Sequence, residues 1–234
     1  MILSNNVERI VAQLEGGLVV SCQARGDNPL HGPVHMAAMA EAAVMGGAVG
    51  IRADGVADVA TIRERIDVPI IGINKFKRQD GDLFITPTCA SARLVIEAGA
   101  DLVAFDGTSR PRPGGESMES VIQCIHDQGA LALADIATLE EGLRAAELGA
   151  DLVGTTLSGY TSYSPYQEDP DLELVRQLGE RCPVPVFAEG RYRTIEQVVQ
   201  ALNAGASFVV IGTAITNPMA ITSRIVQGLV SADT

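Results

Sequence analysis

Short apolar runs recur along the chain at a steady interval, separated by polar-apolar stretches with helical spacing. The runs are Leu18–Cys22, Ala48–Ile51, Pro69–Ile73, Leu102–Phe105, Leu131–Ala134, Leu152–Gly154, Val184–Ala188 and Phe208–Ile211. Brief, nearly continuous apolar runs of this kind predict strands buried on both faces, as in a parallel sheet. Thr138–Leu148 shows the intervening pattern. A threonine cap is followed by Glu140 and Glu141 in the first turn and then by apolar residues at helical spacing. Met118–Gln128 has the same period.

The predicted helices end alike. Ala98-Gly99-Ala100-Asp101, Leu148-Gly149-Ala150-Asp151 and Ala204-Gly205-Ala206-Ser207 each precede an apolar run. A glycine just past a helix supplies the left-handed residue that stops it. The β-then-α unit returns about every 25–30 residues, which predicts parallel strands joined by right-handed crossovers. Eight units with no inserted segment favour closure into a (β/α)8 TIM barrel. The rival is an open doubly wound sheet, but no GxGxxG follows the first strand. The reading is therefore one α/β barrel domain over residues 1–234, with 1–15 as an N-terminal helix or lead-in.

The length of 234 residues suits one such barrel. With 47% hydrophobic and only 4% aromatic residues, the core must be aliphatic. The net charge of −12 argues against nucleic acid, which needs clustered Lys and Arg. No apolar run approaches the about 20 residues that cross a bilayer, so no membrane partner is expected. Met1–Gln13 lacks the basic and apolar regions of a signal peptide. Cys22, Cys89, Cys124 and Cys182 are widely spaced without a CxxC pair. They are expected to be reduced thiols in a cytoplasmic protein.

In a barrel of this type the chemistry sits just past the strand ends. Those positions are Gln23, Arg52, Lys75, Asp106, Asp135, Thr155, Glu189 and Gly212. The irregular segments Gly26–Pro33, Phe76–Asp82, Thr108–Glu116 and Gly159–Asp169 are the expected mouth loops. Val184–Arg191 runs from a strand into Glu189 and Gly190, and Ser207–Ala214 repeats the design with Gly212 and Thr213. Two such units in succession predict a phosphate site made of backbone N–H groups and a short helix N-terminus.

Lys75 closes an apolar run, where desolvation would lower its pKa and make it a usable base. Its alternative is a strand-end lysine whose stem merely covers apolar surface. Glu189 is a candidate general acid or base, against a structural ion pair with Arg191. Asp135 and Asp106 could orient Lys75, bind sugar hydroxyls or cap a helix. Arg52 could bind a carbonyl oxygen or form a structural pair. Gln23 offers a donor and an acceptor. His31, His35 and His126 lack metal-ligand spacing, so no metal is expected, and His126 reads as a surface residue. Tyr160, Tyr163 and Tyr166 lie in one mouth loop and could close over a ligand or simply pack the loop.

Together these segments resemble the N-acetylmannosamine-6-phosphate 2-epimerase family. The resemblance rests on Ser21-Cys22-Gln23-Ala24, Gly50-Ile51-Arg52-Ala53, Pro69–Lys75, Ile85-Thr86-Pro87-Thr88 and Asp106-Gly107-Thr108. It continues through Leu133-Ala134-Asp135-Ile136, Thr155–Thr161, Glu189-Gly190-Arg191 and Gly212–Thr216, in order along the chain. It implies a cofactor-independent isomerase with a phosphate site of the ribulose-phosphate-binding type. Such an enzyme interconverts N-acetylmannosamine 6-phosphate and N-acetylglucosamine 6-phosphate in amino-sugar metabolism and sialic acid degradation. The family's catalytic lysine falls on Lys75 and its catalytic glutamate on Glu189. Phosphate binding falls on Gly190, Arg191, Gly212 and Thr213. Gln23, Arg52, Asp135 and Tyr160 fall where the sugar or its N-acetyl group is bound.

Two positions depart from the family pattern. Asn217 stands where an arginine can reach the phosphate, leaving Arg193 or Arg224 to compensate, and Asn74 adds a polar group beside Lys75. The expected chemistry is removal of the C2 proton from the open-chain sugar by Lys75, with Arg52 near the C1 oxygen. Glu189 either returns the proton itself or shuttles it to a substrate hydroxyl that relays it, and it could also assist ring opening. The rivals are a Schiff-base aldolase or isomerase on Lys75 and a non-catalytic sugar-phosphate sensor. The apolar stretch Ile221–Val230 is either a dimer surface or simply the last helix.

Overall fold

The structure is a computed structural model that describes residues 2–77 and 83–232, with side chains for 7–77 and 83–230. In chain order the first strands are β1 (Leu18–Cys22), β2 (Gly50–Asp54), β3 (Ile70–Ile73), β4 (Lys75–Lys77) and β5 (Leu83–Ile85). They are followed by β6 (Leu102–Asp106), β7 (Leu131–Asp135), β8 (Leu152–Gly154), β9 (Val186–Glu189) and β10 (Phe208–Ile211). Eight of these strands pair parallel in chain order and close, β10 returning to β1. The fold is a (β/α)8 barrel. β4 and β5 form a separate antiparallel hairpin in which Lys75 faces Ile85.

The helices are α1 (Ile2–Leu14), α2 (Pro33–Met45), α3 (Val56–Arg63), α4 (Cys89–Glu97), α5 (Met118–Asp127) and α6 (Leu139–Glu147). The rest are α7 (Leu172–Arg181), α8 (Ile195–Asn203), the single turn α9 (Thr213–Thr216) and α10 (Pro218–Ala232). Capping agrees with the sequence. Thr138 Oγ1 accepts the Glu141 N–H, and Gly99, Gly149 and Gly205 take positive φ after their helices. The aspartates that follow two of these glycines tie adjacent strands together. Asp101 accepts the Ile70 N–H and Asp151 the Ala132 N–H, at 2.9 and 2.8 Å.

Alternation along each strand divides the core in two. Val20, Ile51, Val103, Ala132 and Val153 pack outward against the helices. Val19, Ile71, Leu102, Leu131, Leu152, Phe187 and Phe208 fill the barrel. Leu14 joins that inner cluster and abuts Gly50 at the start of β2, so α1 covers the N-terminal end of the barrel. Gly154 makes room for Phe187. A Cβ there would lie 2.0 Å from the Phe187 ring, which stacks on Phe208 at 5.4 Å between centroids.

Four expectations need correction. The segment Phe76–Asp82 is not wholly irregular, because Phe76 and Lys77 belong to the hairpin; residues 78–82, Arg78 among them, lie outside the described residues. β2 continues past Ile51 to Asp54, since Arg52 finds buried ionic partners and need not end the strand. Cys89 and Cys124 are joined as a disulfide, while Cys22 and Cys182 are free. Packing of α4 against α5 brings the pair together, which a separation of 35 residues does not announce. His126 is half-buried, not a free surface residue: its Nε2 lies 2.8 Å from Asp151 Oδ2, a bond that raises its pKa.

Candidate active site

The same alternation that fills the barrel with aliphatic side chains turns Arg52, Asp135 and Glu189 inward, one pleat nearer the mouth than Gly50, Leu133 and Phe187. The arginine lies between the two carboxylates. Its Nη1 and Nη2 donate to Asp135 at 3.1 and 2.6 Å, and Nη1 lies 2.8 Å from Glu189 Oε2. Thr156 Oγ1 sits 2.6 Å from Asp135 Oδ1 and 3.1 Å from Glu189 Oε2. Thr155 fixes the backbone beneath, its hydroxyl bonded to the Glu189 carbonyl and N–H.

One guanidinium thus faces two carboxylates, and the site has one negative charge too many. Asp135 is fully buried and takes both arms of the fork. Glu189 takes one contact and is the carboxylate that yields. Burial, opposed by Arg52 and reinforced by Asp135, pushes its pKa up to about 7. Near neutrality it can hold or release a proton, as an acid–base catalyst must.

Lys75 enters from the hairpin beside this cluster. Its Nζ donates to Gln23 Oε1 and lies 3.6 Å from Asp54 Oδ2, while Asp54 Oδ1 accepts the Lys75 N–H. Gln23 in turn donates to Ser21 Oγ at 2.7 Å. The side chain is 33% exposed, so most of its surface is taken from water. That desolvation lowers its pKa against the pull of Asp54. Thr86 steadies the hairpin's base: its hydroxyl accepts the Asn74 N–H, and its N–H donates to the Asn74 carbonyl. It does so with φ of 42°, a strained value for a β-branched residue.

A cavity of about 260 Å³ opens past the ends of β9 and β10, lined by Tyr160, Arg191, Arg193, Thr213, Ala214 and Arg224 among others. Gly190 (φ 111°) and Arg191 (φ 63°) make the left-handed turn that leads into it. Arg191 donates to the carbonyls of Ser158 and Asp169 and lies over the Tyr160 ring at 5.0 Å. Gly212 packs against Ser21, where a Cβ would come within 3.2 Å, and Thr216 hydrogen-bonds the Ser21 carbonyl.

The structure therefore brings the candidates into two groups, Gln23, Arg52, Lys75, Asp135 and Glu189 at the mouth, and Tyr160, Gly190, Arg191, Gly212 and Thr213 around the cavity. Some roles change. Arg52 and Asp135 are buried against each other and hold Glu189, while the Arg52 Nε–H has no partner among the described residues. Glu189 pairs with Arg52, not Arg191. Asp106 belongs to neither group: it binds Thr108 and Arg110 and anchors the loop after β6. Asn217 caps α10, accepting the Ala220 N–H. Asp54 and Thr156 were not foreseen as site residues. The signal for Asp54 was its parity, two residues past Arg52 on one strand; Thr156, beyond the end of β8, lay within the Thr155–Thr161 run that carries the resemblance but was not singled out.

The mouth of this (β/α)8 barrel groups a lysine and a glutamate with shifted proton affinities, the equipment of an acid–base enzyme. Residues 36–231 match the family model described as "Putative N-acetylmannosamine-6-phosphate epimerase". A relative from Caldanaerobacter subterraneus, described as an N-acetylmannosamine-6-phosphate 2-epimerase of the same provisional kind, is 49% identical over 219 residues, 93% of this chain and 92% of its own. One from Cutibacterium acnes is 46% identical, with 94% and 96% covered. The solved N-acetylmannosamine-6-phosphate 2-epimerase of Clostridium perfringens superposes with a TM-score of 0.91 at 44% identity, covering 93% of this chain and 95% of that one. Thiamine phosphate pyrophosphorylase from Pyrococcus furiosus shares the fold alone, with a TM-score of 0.62 at 18% identity. The chain belongs to the N-acetylmannosamine-6-phosphate epimerase family.

Proposed function

We propose that this protein interconverts N-acetylmannosamine 6-phosphate and N-acetylglucosamine 6-phosphate by moving a proton at C2. The observation that carries the reading is the pairing at one mouth of a lysine with lowered pKa and a glutamate raised to about 7. In the open-chain sugar, C2 lies next to the C1 aldehyde, so its proton is acidic. Lys75, in its neutral form, takes that proton. The C–H electron pair moves into the C1–C2 bond and the aldehyde π electrons onto oxygen, giving an enolate. Glu189, protonated, returns a proton to C2 from the other face, and the configuration inverts. Arg52, Asp135 and Thr156 hold Glu189 in place and set its affinity for the proton. Gln23 and Asp54 aim Lys75. The phosphate sits in the cavity at Gly190, Arg191, Gly212 and Thr213, with Tyr160 over its edge, and its binding positions C2 for the transfer.

This chemistry calls on no cofactor or metal. The chain acts as one catalytic domain. No described helix is long and apolar enough to cross a membrane. A phosphorylated metabolite places the work in the cytoplasm. α10 leaves Ile225, Val226, Leu229 and Val230 exposed, and a second copy of the chain is their partner in a homodimer. The test of the activity is chromatography of the purified protein with N-acetylmannosamine 6-phosphate, followed by borohydride treatment. N-acetylglucosamine 6-phosphate should accumulate with no sugar trapped on the protein. A trapped adduct on Lys75 would move the reading to a Schiff-base enzyme, and binding without turnover to a sensor.

A further inference from the structure

At neutral pH a phosphate monoester carries about −1.5 to −2 charges, so the cavity past β9 and β10 must answer most of a dianion. The three arginines that line it are not equivalent. Arg193 is neutralised by Asp169, 2.9 Å away, and also donates to the Glu168 carbonyl. Arg191 donates only to neutral carbonyls, which leave its charge uncompensated but fix its plane over Tyr160. Arg224 projects from α10, is exposed, and makes no hydrogen bond or ion pair with another described residue. The nearby Asn217 is an uncharged amide, and its side-chain oxygen is taken up in capping α10. Arg191 and Arg224 are therefore the cavity's two unneutralised cations, one held rigidly and one free to move.

We propose that Arg224 is a specificity-determining residue for the phosphorylated sugar: its guanidinium folds over the cavity and supplies the second positive charge to the phosphate. This rests on the reading of the cavity as the phosphate end of the epimerase site. It makes α10 part of the binding site and not merely the last helix of the barrel. A charge-assisted contact between a flexible arginine and a remote phosphate acts on binding more than on the proton transfer at C2. Arg224→Ala should raise KM for the sugar phosphate roughly ten- to a hundredfold and leave kcat within about a factor of two. Arg224→Lys keeps the charge without the planar fork and should fall between.

Calorimetric titration with inorganic phosphate needs no turnover and judges the assignment separately. Wild-type protein should bind phosphate competitively with substrate, and Arg224→Ala should lose affinity in step with its KM, with an unchanged thermal melt. If wild-type protein binds phosphate but turns over no sugar phosphate, the epimerase reading fails while Arg224 is still tested by its phosphate affinity. Equal phosphate affinity in wild type and Arg224→Ala, an unchanged KM, or a wild type that binds no phosphate would each overturn the proposal.

Discussion

Replacing Arg52 by methionine isolates the ionic cluster at the mouth. The apolar side chain occupies much of the arginine's space but leaves two carboxylates without their cation. Asp135 is fully buried and would lose two hydrogen bonds of 3.1 and 2.6 Å. Glu189, 15% exposed, would lose its 2.8 Å ion pair and keep only Thr156. Removing one partner of a buried pair typically costs about 3–5 kcal/mol, because the remaining charge stays desolvated. Against a total stability of about 5–15 kcal/mol the variant should still fold. For a chain of this size the melting temperature should fall by about 6–20 °C.

The loss must also depend on pH. Without Arg52 the Glu189 carboxyl, already raised by burial, is pushed further above its unfolded value. Such a group contributes stability below the unfolded pKa and loses it as pH rises through the folded pKa. Urea titrations of wild type and Arg52→Met at pH 5 and pH 8 should show a larger gap at pH 8, and Asp135→Asn in the variant background should recover part of it. A gap below about 1 kcal/mol at pH 8, the range of an exposed pair, would refute the buried-cluster argument, as would a gap that did not change with pH.

Three further outcomes follow from the same geometry. The active form holds one proton between Lys75 and Glu189, so kcat/KM should be bell-shaped, with its acid limb at about 7 where Glu189 titrates. Glu189→Gln should lose activity and abolish that limb in the residual rate; a limb that persists would belong to another group. Gly154→Ala drives a methyl group to 2.0 Å from the Phe187 ring and should cost about 1–3 kcal/mol in thermal or urea melts, less when Phe187 is also shortened to leucine. Thiol titration of the denatured, unreduced protein should find the two free cysteines, Cys22 and Cys182, and reduction should release two more. By loop-closure entropy, loss of the Cys89–Cys124 bond should lower stability by about 3–4 kcal/mol; four thiols before reduction would refute the pairing.

Much of the barrel was legible in the sequence because its signals are local. Apolar runs mark strands buried on both faces, and Gly99, Gly149 and Gly205 mark helix ends by a backbone conformation that other residues resist. Lys75 and Glu189 stood out because a charge beside an apolar strand needs a reason. Their partners were less visible. Which carboxylate Arg52 meets depends on parity and stagger around a closed barrel, and those bring Asp135 and Glu189 together from β7 and β9. Asp54 lies on the same strand as Arg52 yet serves Lys75. The Cys89–Cys124 bond depends on how α4 and α5 pack. Arg224 stood beside Arg193 as a substitute for the missing charge at Asn217, and only the ion pair of Arg193 with Asp169 at the cavity tells the two apart. Each is a relation between elements, which sequence spacing does not encode.

The central claim is that the C2–H bond is broken and remade by Lys75 and Glu189. Proton NMR of the protein with N-acetylmannosamine 6-phosphate in D₂O tests it most directly. The account predicts N-acetylglucosamine 6-phosphate carrying deuterium at C2, and no exchange or product with a folded Lys75→Ala variant. Product that keeps its original C2 proton throughout, or undiminished exchange in Lys75→Ala, would contradict it.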